Sequence, residues 1–132
     1  MKVTKLEHAT LVLEQNGETL ILDPGFYTRP MDGYKNVVGI AITHNHDDHV
    51  HEDQIDRILK DNPDALILGT QEVVARLAPR KATAVHHGDF YEVGPFTAEF
   101  FGSGFSRESQ ITAFLSLSHS PSFFAMRSAS HS

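Results

Sequence analysis

The stretch VVGIAITHNHDDH, at residues 37–49, joins an uninterrupted apolar run directly to a cluster of histidines and aspartates. Six consecutive apolar residues at 37–42 are typical of a strand that is buried on both faces, as in a parallel sheet. The polar cluster follows at the carboxyl end of that strand, where open α/β sheets place their ligand-binding loops. The stretch therefore predicts a buried strand and a functional loop.

Four side chains of this loop are candidate metal ligands: His44, His46, Asp48 and His49. Imidazole nitrogens and carboxylate oxygens bind zinc and similar divalent ions. In an extended or looped backbone, alternate side chains lie on the same side, so His44 and His46 can share one ion. Asp48 and His49 would face a second position, which predicts two ions about 3.5–4 Å apart. The alternative is that Asp47 and Asp48 only cap the next helix.

The residues on either side of the loop predict an α/β layer architecture. Asn16-Gly17 joins two apolar runs as a hairpin turn. Apolar residues recur at helical spacing over 55–59 and 73–77, on either side of an apolar run at 65–68, and Thr70 can cap the second of these helices. Strands that alternate with helices favour a sheet that is at least partly parallel. The segment from Asp23-Pro24 to residue 35 is expected to form a mobile flap beside the site.

Composition excludes several classes of protein. The 132 residues suffice for one domain or part of a larger one, and they include no cysteine. This rules out a disulfide scaffold, a thiolate nucleophile and cysteine-based metal sites. A net charge of −6 argues against nucleic acid or an anionic membrane as a partner. No long apolar stretch or signal-peptide core is present, so we expect a soluble, cytoplasmic protein.

The serines divide the chain in two. All ten lie between Ser103 and Ser132, and the charged residues become sparse at the same point. This division predicts a half-domain at 1–102 and a Ser-rich, irregular tail at 103–132. We interpret the tail as an aberrant ending, such as a frameshift; the alternative is a genuine, divergent, truncated form. The coding DNA read in the other two frames would distinguish them.

The spacing His44-x-His46-x-Asp48-His49 resembles the H-x-H-x-D-H signature of the metallo-β-lactamase superfamily of metal-dependent hydrolases. The hairpin and Asp23-Pro24 are similar to the small lactonase-like branch, and the resemblance covers residues 2–101. It implies a binuclear site for zinc, manganese or iron, with His44 and His46 on one metal and Asp48 and His49 on the other. It also implies that Asp48 handles the proton of the metal-bound water and that Asp23 braces the loop, although an Asp-Pro turn explains Asp23 equally well.

The resemblance also implies that part of the site is missing. The family fold is a four-layer αββα sandwich of two similar halves, and this chain resembles the first half, a mixed sheet with helices on one face. The second half normally supplies another His to each metal and a bridging Asp. No Asp follows Asp89, and only His119 and His131 lie beyond residue 102. His86 and His87 are expected to be ordinary turn residues.

Two classes of function follow. The first is an enzyme, truncated or frameshifted, that hydrolyses an ester, lactone or phosphoester bond of a small-molecule substrate by a metal-bound hydroxide. The alternative is a non-catalytic remnant that binds metal, or a half that pairs with a second copy as a homodimer.

Overall fold

The computed structural model describes residues 1–102, 111–117 and 123–126, which form two sheets and two helices. The first sheet has six strands, which are neighbours in chain order: β1 (Lys2–Lys5), β2 (Leu11–Gln15), β3 (Glu18–Leu22), β4 (Val37–Ala41), β5 (Leu66–Gly69) and β6 (Thr83–Ala84). The second sheet has four, in the order β10-β9-β8-β7: β7 (Phe90–Val93), β8 (Phe96–Gly102), β9 (Ile111–Leu117) and β10 (Phe123–Met126).

The first sheet is mixed, as the sequence predicts. Strands β1, β2 and β3 pair antiparallel, whereas β3, β4, β5 and β6 pair parallel. The turn between β2 and β3 is Asn16-Gly17, and both residues have positive φ, at 54° and 77°. A two-residue turn of this kind matches the twist of the flanking strands, which is why the Asn-Gly pair identified it.

The two helices cross between parallel strands. Helix α1 (Glu52–Asp61) leads from β4 to β5, and α2 (Gln71–Leu77) leads from β5 to β6. The predicted cap of α2 is confirmed, because the Thr70 side chain accepts a hydrogen bond from Val73 N at 3.3 Å. Among the residues described, no helix is long and apolar enough to cross a membrane.

The first sheet is covered on both faces. On one face, Ile40 of β4 packs in a cluster with Ile55 and Ile58 of α1 and with residues of α2. On the other face, Ala41 of β4 belongs to a second cluster that includes Phe96 of the second sheet. Because β4 is buried on both faces, its apolar run is uninterrupted. The layers are thus helices, sheet and sheet, which confirms the predicted partial sandwich with helices on one face of a mixed sheet.

Two strands lie beyond Gly102, so the prediction of an irregular tail over 103–132 is wrong for β9 and β10. Strand β9 pairs antiparallel with the whole of β8, from Phe96 opposite Leu117 to Gly102 opposite Ile111, and β10 pairs with β9. In sequence, Ile111, Phe114 and Leu115 fit helical spacing. The edge of β8, however, offers backbone donors and acceptors with which a strand can pair. The rest of the tail lies outside the described residues, and the domain boundary at 102 stays a prediction.

Candidate metal site

The histidine-rich loop occupies residues 42–51, between the end of β4 and the start of α1. It lies at the carboxyl edge of the parallel strands, as predicted for a ligand-binding loop. Its backbone turns back on itself, because the amides of His49 and Val50 both donate to the carbonyl of His46, at 2.8 and 2.9 Å. This turn brings His49 close to His46, three residues earlier in the chain.

The structure brings the four predicted ligands together. The His44 ring centroid lies 4.6 Å from that of His49 and 5.8 Å from that of His46. Asp48 completes the group, with Oδ2 3.6 Å from His49 Nε2. His44 is thus closer to His49 than to His46, and the assignment of the four side chains to two ions stays a prediction.

The four side chains differ in their access to water. His44 and His49 are buried, with 2% and 3% of their surface exposed. His46 is exposed, and 44% of the Asp48 side chain is exposed. A ligand that arrives from solvent therefore meets His46 and Asp48 first, against two imidazoles that the fold already holds.

Asp23 supports the loop from the end of the neighbouring strand β3. Its Oδ1 accepts a hydrogen bond from Thr43 N at 2.7 Å, and its Oδ2 accepts one from Thr43 Oγ1 at 2.6 Å. The same Oδ2 lies 3.1 Å from His49 Nδ1, and all three residues are buried. When His49 Nδ1 donates to Asp23, its Nε2 carries the lone pair that a metal requires. These contacts support the predicted bracing role.

The same contacts set the protonation of His49. Burial alone lowers its pKa, but the hydrogen bond that His49 donates to Asp23 and the charges of Asp23 and Asp48 outweigh burial. The pKa of His49 is therefore raised above its ordinary value. A divalent cation at this imidazole would have to displace the proton that the two carboxylates favour.

Asp47 is held by a different element. Arg76 of α2 donates to Asp47 Oδ1 at 2.7 Å and to Glu52 Oε1 at 3.1 Å. The alternative in which Asp47 and Asp48 cap α1 does not match the structure, because the N-cap residue is His51, with no side-chain capping bond. Arg76 thus links Asp47 to the first turn of α1, and of the two loop aspartates it is Asp48 that contacts His49.

Gln54 of α1 is a buried polar residue that the sequence did not single out. Its Nε2 lies within hydrogen-bonding distance of the carbonyls of Gly25, Thr28 and Arg29, at 2.9–3.1 Å, and its Oε1 accepts from Met31 N at 2.9 Å. These contacts anchor the segment 24–31 against α1, which argues against the predicted mobile flap. A lone glutamine on an amphipathic helix carries no sequence signal for this role.

Other histidines lie apart from the cluster. His8 is exposed, and its ring centroid lies 4.9 Å from that of Tyr27. His86 and His87 are exposed in the turn before β7, where Asp89 Oδ2 accepts from His86 N at 2.8 Å. They are turn residues, as predicted.

The donor chemistry of the loop fits a divalent cation, since imidazole and carboxylate are the ligands that zinc, manganese and iron share. However, within the described ranges no three His, Asp or Glu side chains are arranged to hold a metal ion. A cation would therefore find only a partial set of ligands among these residues.

Comparisons with known proteins show the family and the fold of the chain. A model of the beta-lactamase superfamily domain matches residues 2–109, a range that runs past the change of composition at residue 102. A UPF0173 metal-dependent hydrolase of Geobacillus sp. (strain WCH70) is 31% identical over 129 residues, which cover 89% of this chain and 55% of the relative. The chain spans about half the length of the curated relatives it matches.

Solved structures share the fold at low identity. A protein of Parabacteroides distasonis, assigned as a metal-dependent hydrolase, superposes with a TM-score of 0.74 and 18% identity, over 87% of this chain and 55% of that one. CmlA, a diiron beta-hydroxylase from Streptomyces venezuelae, superposes with a TM-score of 0.70 and 16% identity, over 96% of this chain and 29% of that one. At this identity the match shows the fold alone.

Proposed function

Because the chain belongs to the beta-lactamase superfamily, we propose that its histidine-rich loop is the metal-binding part of a hydrolase site. One observation carries the proposal: His44, His46, Asp48 and His49 meet at the carboxyl end of β4, and Asp23 holds His49 from the next strand. The similarity to relatives that are called metal-dependent hydrolases supports the same reaction class.

His44, His46, Asp48 and His49 would hold the metal, and the family resemblance favours two ions. The metal that we propose is zinc. Manganese and iron are alternatives, because the same ligands serve all three and a diiron protein shares the fold. When bound, such an ion polarises the substrate and activates water at neutral pH.

The chain's own residues would position the reaction and move its proton. The Asp48 carboxylate is open to solvent on one side and touches His49 on the other, so it can accept a proton at its carboxylate oxygen. Asp23 fixes the orientation of the His49 ring through Nδ1. The substrate that we propose is a small-molecule ester, lactone or phosphoester.

A second candidate is a half-domain that binds metal without catalysis, alone or as a homodimer. It is favoured by the lack, among the described residues, of any three side chains placed to hold a metal ion. Size-exclusion chromatography with metal analysis separates the two candidates. An enzyme would carry two tightly bound metals per chain. The non-catalytic half-domain would bind at most one metal, weakly, and would therefore retain almost none, and a homodimer would elute at twice the mass of one chain.

Hydrolysis of a generic lactone, a carboxylic ester and a phosphodiester tests the reaction class. We expect the metal-loaded chain to hydrolyse at least one of them, and His46→Ala to lower that rate at least about 100-fold. His87→Ala, which removes an exposed histidine from a turn, is the matched control and should keep the rate. Equal rates in the wild type and His46→Ala would refute metal-dependent catalysis by this loop.

A further inference from the structure

Two exposed aromatic side chains stand on the turn that follows Pro24, beside the histidine-rich loop. Phe26 is 57% exposed and Tyr27 is 56% exposed. A single exposed aromatic residue is ordinary, but adjacent ones leave a continuous apolar surface in water, at a cost in hydrophobic free energy. Such a surface next to a candidate site is a candidate for ligand binding.

The two rings belong to a longer row of four. The Phe26 ring lies edge-on to His51, with centroids 5.0 Å apart, and edge-on to Tyr27, with centroids 5.2 Å apart. Tyr27 in turn contacts His8, at 4.9 Å between centroids. We call the rings of His51, Phe26, Tyr27 and His8 the aromatic row. Edge-to-face contacts of this kind stabilise the arrangement of the rings.

The aromatic row is fixed to the histidine-rich loop through the backbone. Phe26 N donates to the carbonyl of Asp47 at 2.7 Å, and His51 N donates to the carbonyl of Pro24 at 3.2 Å. Gly25 packs so closely on Asp48 that an added Cβ would overlap the Asp48 carbonyl. These contacts hold the Phe26 end of the row against the backbone of the candidate ligand Asp48, and a substrate-binding surface requires such a fixed position.

The size of the row favours a small molecule over a protein partner. A buried aromatic side chain covers about 150–250 Å², so two half-exposed rings offer roughly 200 Å². A stable protein interface needs about 800 Å² per partner. The exposed part of the row matches one ring or a short alkyl chain.

The charges around the row favour an uncharged ligand. Arg29 pairs with Glu7 at 2.8 Å, and the Lys5 ammonium donates to the carbonyls of Leu6 and His8. The acidic Asp53 lies 3.4 Å from His51 Nε2 at the other end. Arg29 is neutralised by Glu7, and the charge of Lys5 at one end of the row is opposed by that of Asp53 at the other, so these side chains supply no net positive charge that would favour an anionic phosphoester.

We propose that the aromatic row binds the aromatic or alkyl part of an uncharged ester or lactone whose reacting group lies at residues 44–49. The proposal rests on the proposed function for the identity of that reacting group. It assigns Phe26 and Tyr27 as residues that determine specificity by contact with the non-reacting part of the substrate.

Binding of a matched pair of esters tests the proposal. Methyl phenylacetate and methyl acetate share the ester group, and only the first has a ring. We would titrate each into the isotope-labelled full chain and follow the amide signals of Thr28 and Asp47. The expected result is an affinity about tenfold higher for methyl phenylacetate, which the double variant Phe26→Ala/Tyr27→Ala abolishes.

Phe90→Ala is the matched control, because Phe90 is equally exposed, at 58%, but belongs to β7 of the second sheet. It should keep the preference for the ring. No preference in the wild type, or equal loss in Phe90→Ala, would overturn the proposal. So would amide signals at the row that shift with protein concentration, since a second copy would then cover it.

The experiment is independent of the metal, because neither ester needs a bound ion to contact the row. A preference for the ring in the metal-free chain supports the aromatic row. If that preference is present and no ester is hydrolysed after metal loading, the result counts against the proposed function alone.

Discussion

At the scale of single residues, the candidate site depends on one buried carboxylate. Asp23 accepts hydrogen bonds from the backbone amide and the hydroxyl of Thr43, and it lies within hydrogen-bonding distance of His49 Nδ1. A buried polar group that loses a partner costs more free energy than the hydrogen bond contributed, because the partner stays buried and unsatisfied. The loop geometry is therefore sensitive to changes at Asp23 that preserve its size.

Asp23→Asn is expected to destabilise the metal-free chain by about 1–3 kcal/mol, because one acceptor oxygen becomes a donor that faces other donors. Urea denaturation at neutral pH measures this change. Asp64→Asn removes an exposed carboxylate at the turn before β5 and should have little effect. Equal stability of Asp23→Asn and the wild type would contradict the bracing role of Asp23.

The same variant carries a prediction on pH. The folded-state pKa of His49 is raised, so its ion pair with Asp23 contributes stability below the unfolded value of 6.5, and this contribution is lost as pH rises through the folded value. The destabilisation by Asp23→Asn should therefore be larger at pH 6 than at pH 8, and a histidine NMR titration should show a lower pKa for His49. An unchanged pKa of His49 in this variant would mean that Asp23 does not stabilise the protonated imidazole.

At the scale of elements, the local signals were sufficient where the chain folds on itself nearby. The Asn16-Gly17 turn, the cap at Thr70 and the buried run of β4 each depend on neighbours in sequence, and each was predicted. The role of Gln54 was not predicted, because its hydrogen-bond partners lie 23 to 29 residues away in the sequence. Strand β9 was missed because Phe114 interrupts an otherwise alternating pattern, and Ile111, Phe114 and Leu115 also fit helical spacing. Its pairing with β8 determines its structure.

Gln54→Ala should release the segment 24–31 from α1. The change leaves the Met31 amide and three carbonyls without their partner, at an expected cost of about 3 kcal/mol. Hydrogen exchange at the Met31 amide should accelerate, because the free energy of opening this segment falls. Gln71→Ala, at the exposed start of α2, is the matched control and should leave that amide protected. Unchanged exchange in Gln54→Ala would show that other contacts anchor the segment.

At the scale of the whole molecule, the chain contains the sheet and helices that position the histidine-rich loop, and it matches about half the length of its relatives. The order of strands and helices predicted an α/β layer architecture, the family resemblance implied the partial sandwich, and the spacing of the loop predicted the four side chains that meet at β4. Their relative distances were not predictable, because the turn at His46 and the contact with Asp23 join residues from different strands. The reaction class and the metal are proposed from the donor chemistry of this cluster.

The central claim is that residues 44–49 bind a divalent cation, and metal analysis tests it most directly. The full chain would be loaded with Zn²⁺, Mn²⁺ or Fe²⁺, desalted and measured for metal per chain. The double variant His44→Ala/His46→Ala would be compared with His86→Ala/His87→Ala, which also removes two histidines, but from an exposed turn. We predict at least one bound metal per chain in the wild type and the turn variant, and loss of that metal in the loop variant. No bound metal in the wild type, or equal metal content in the two variants, would contradict the claim.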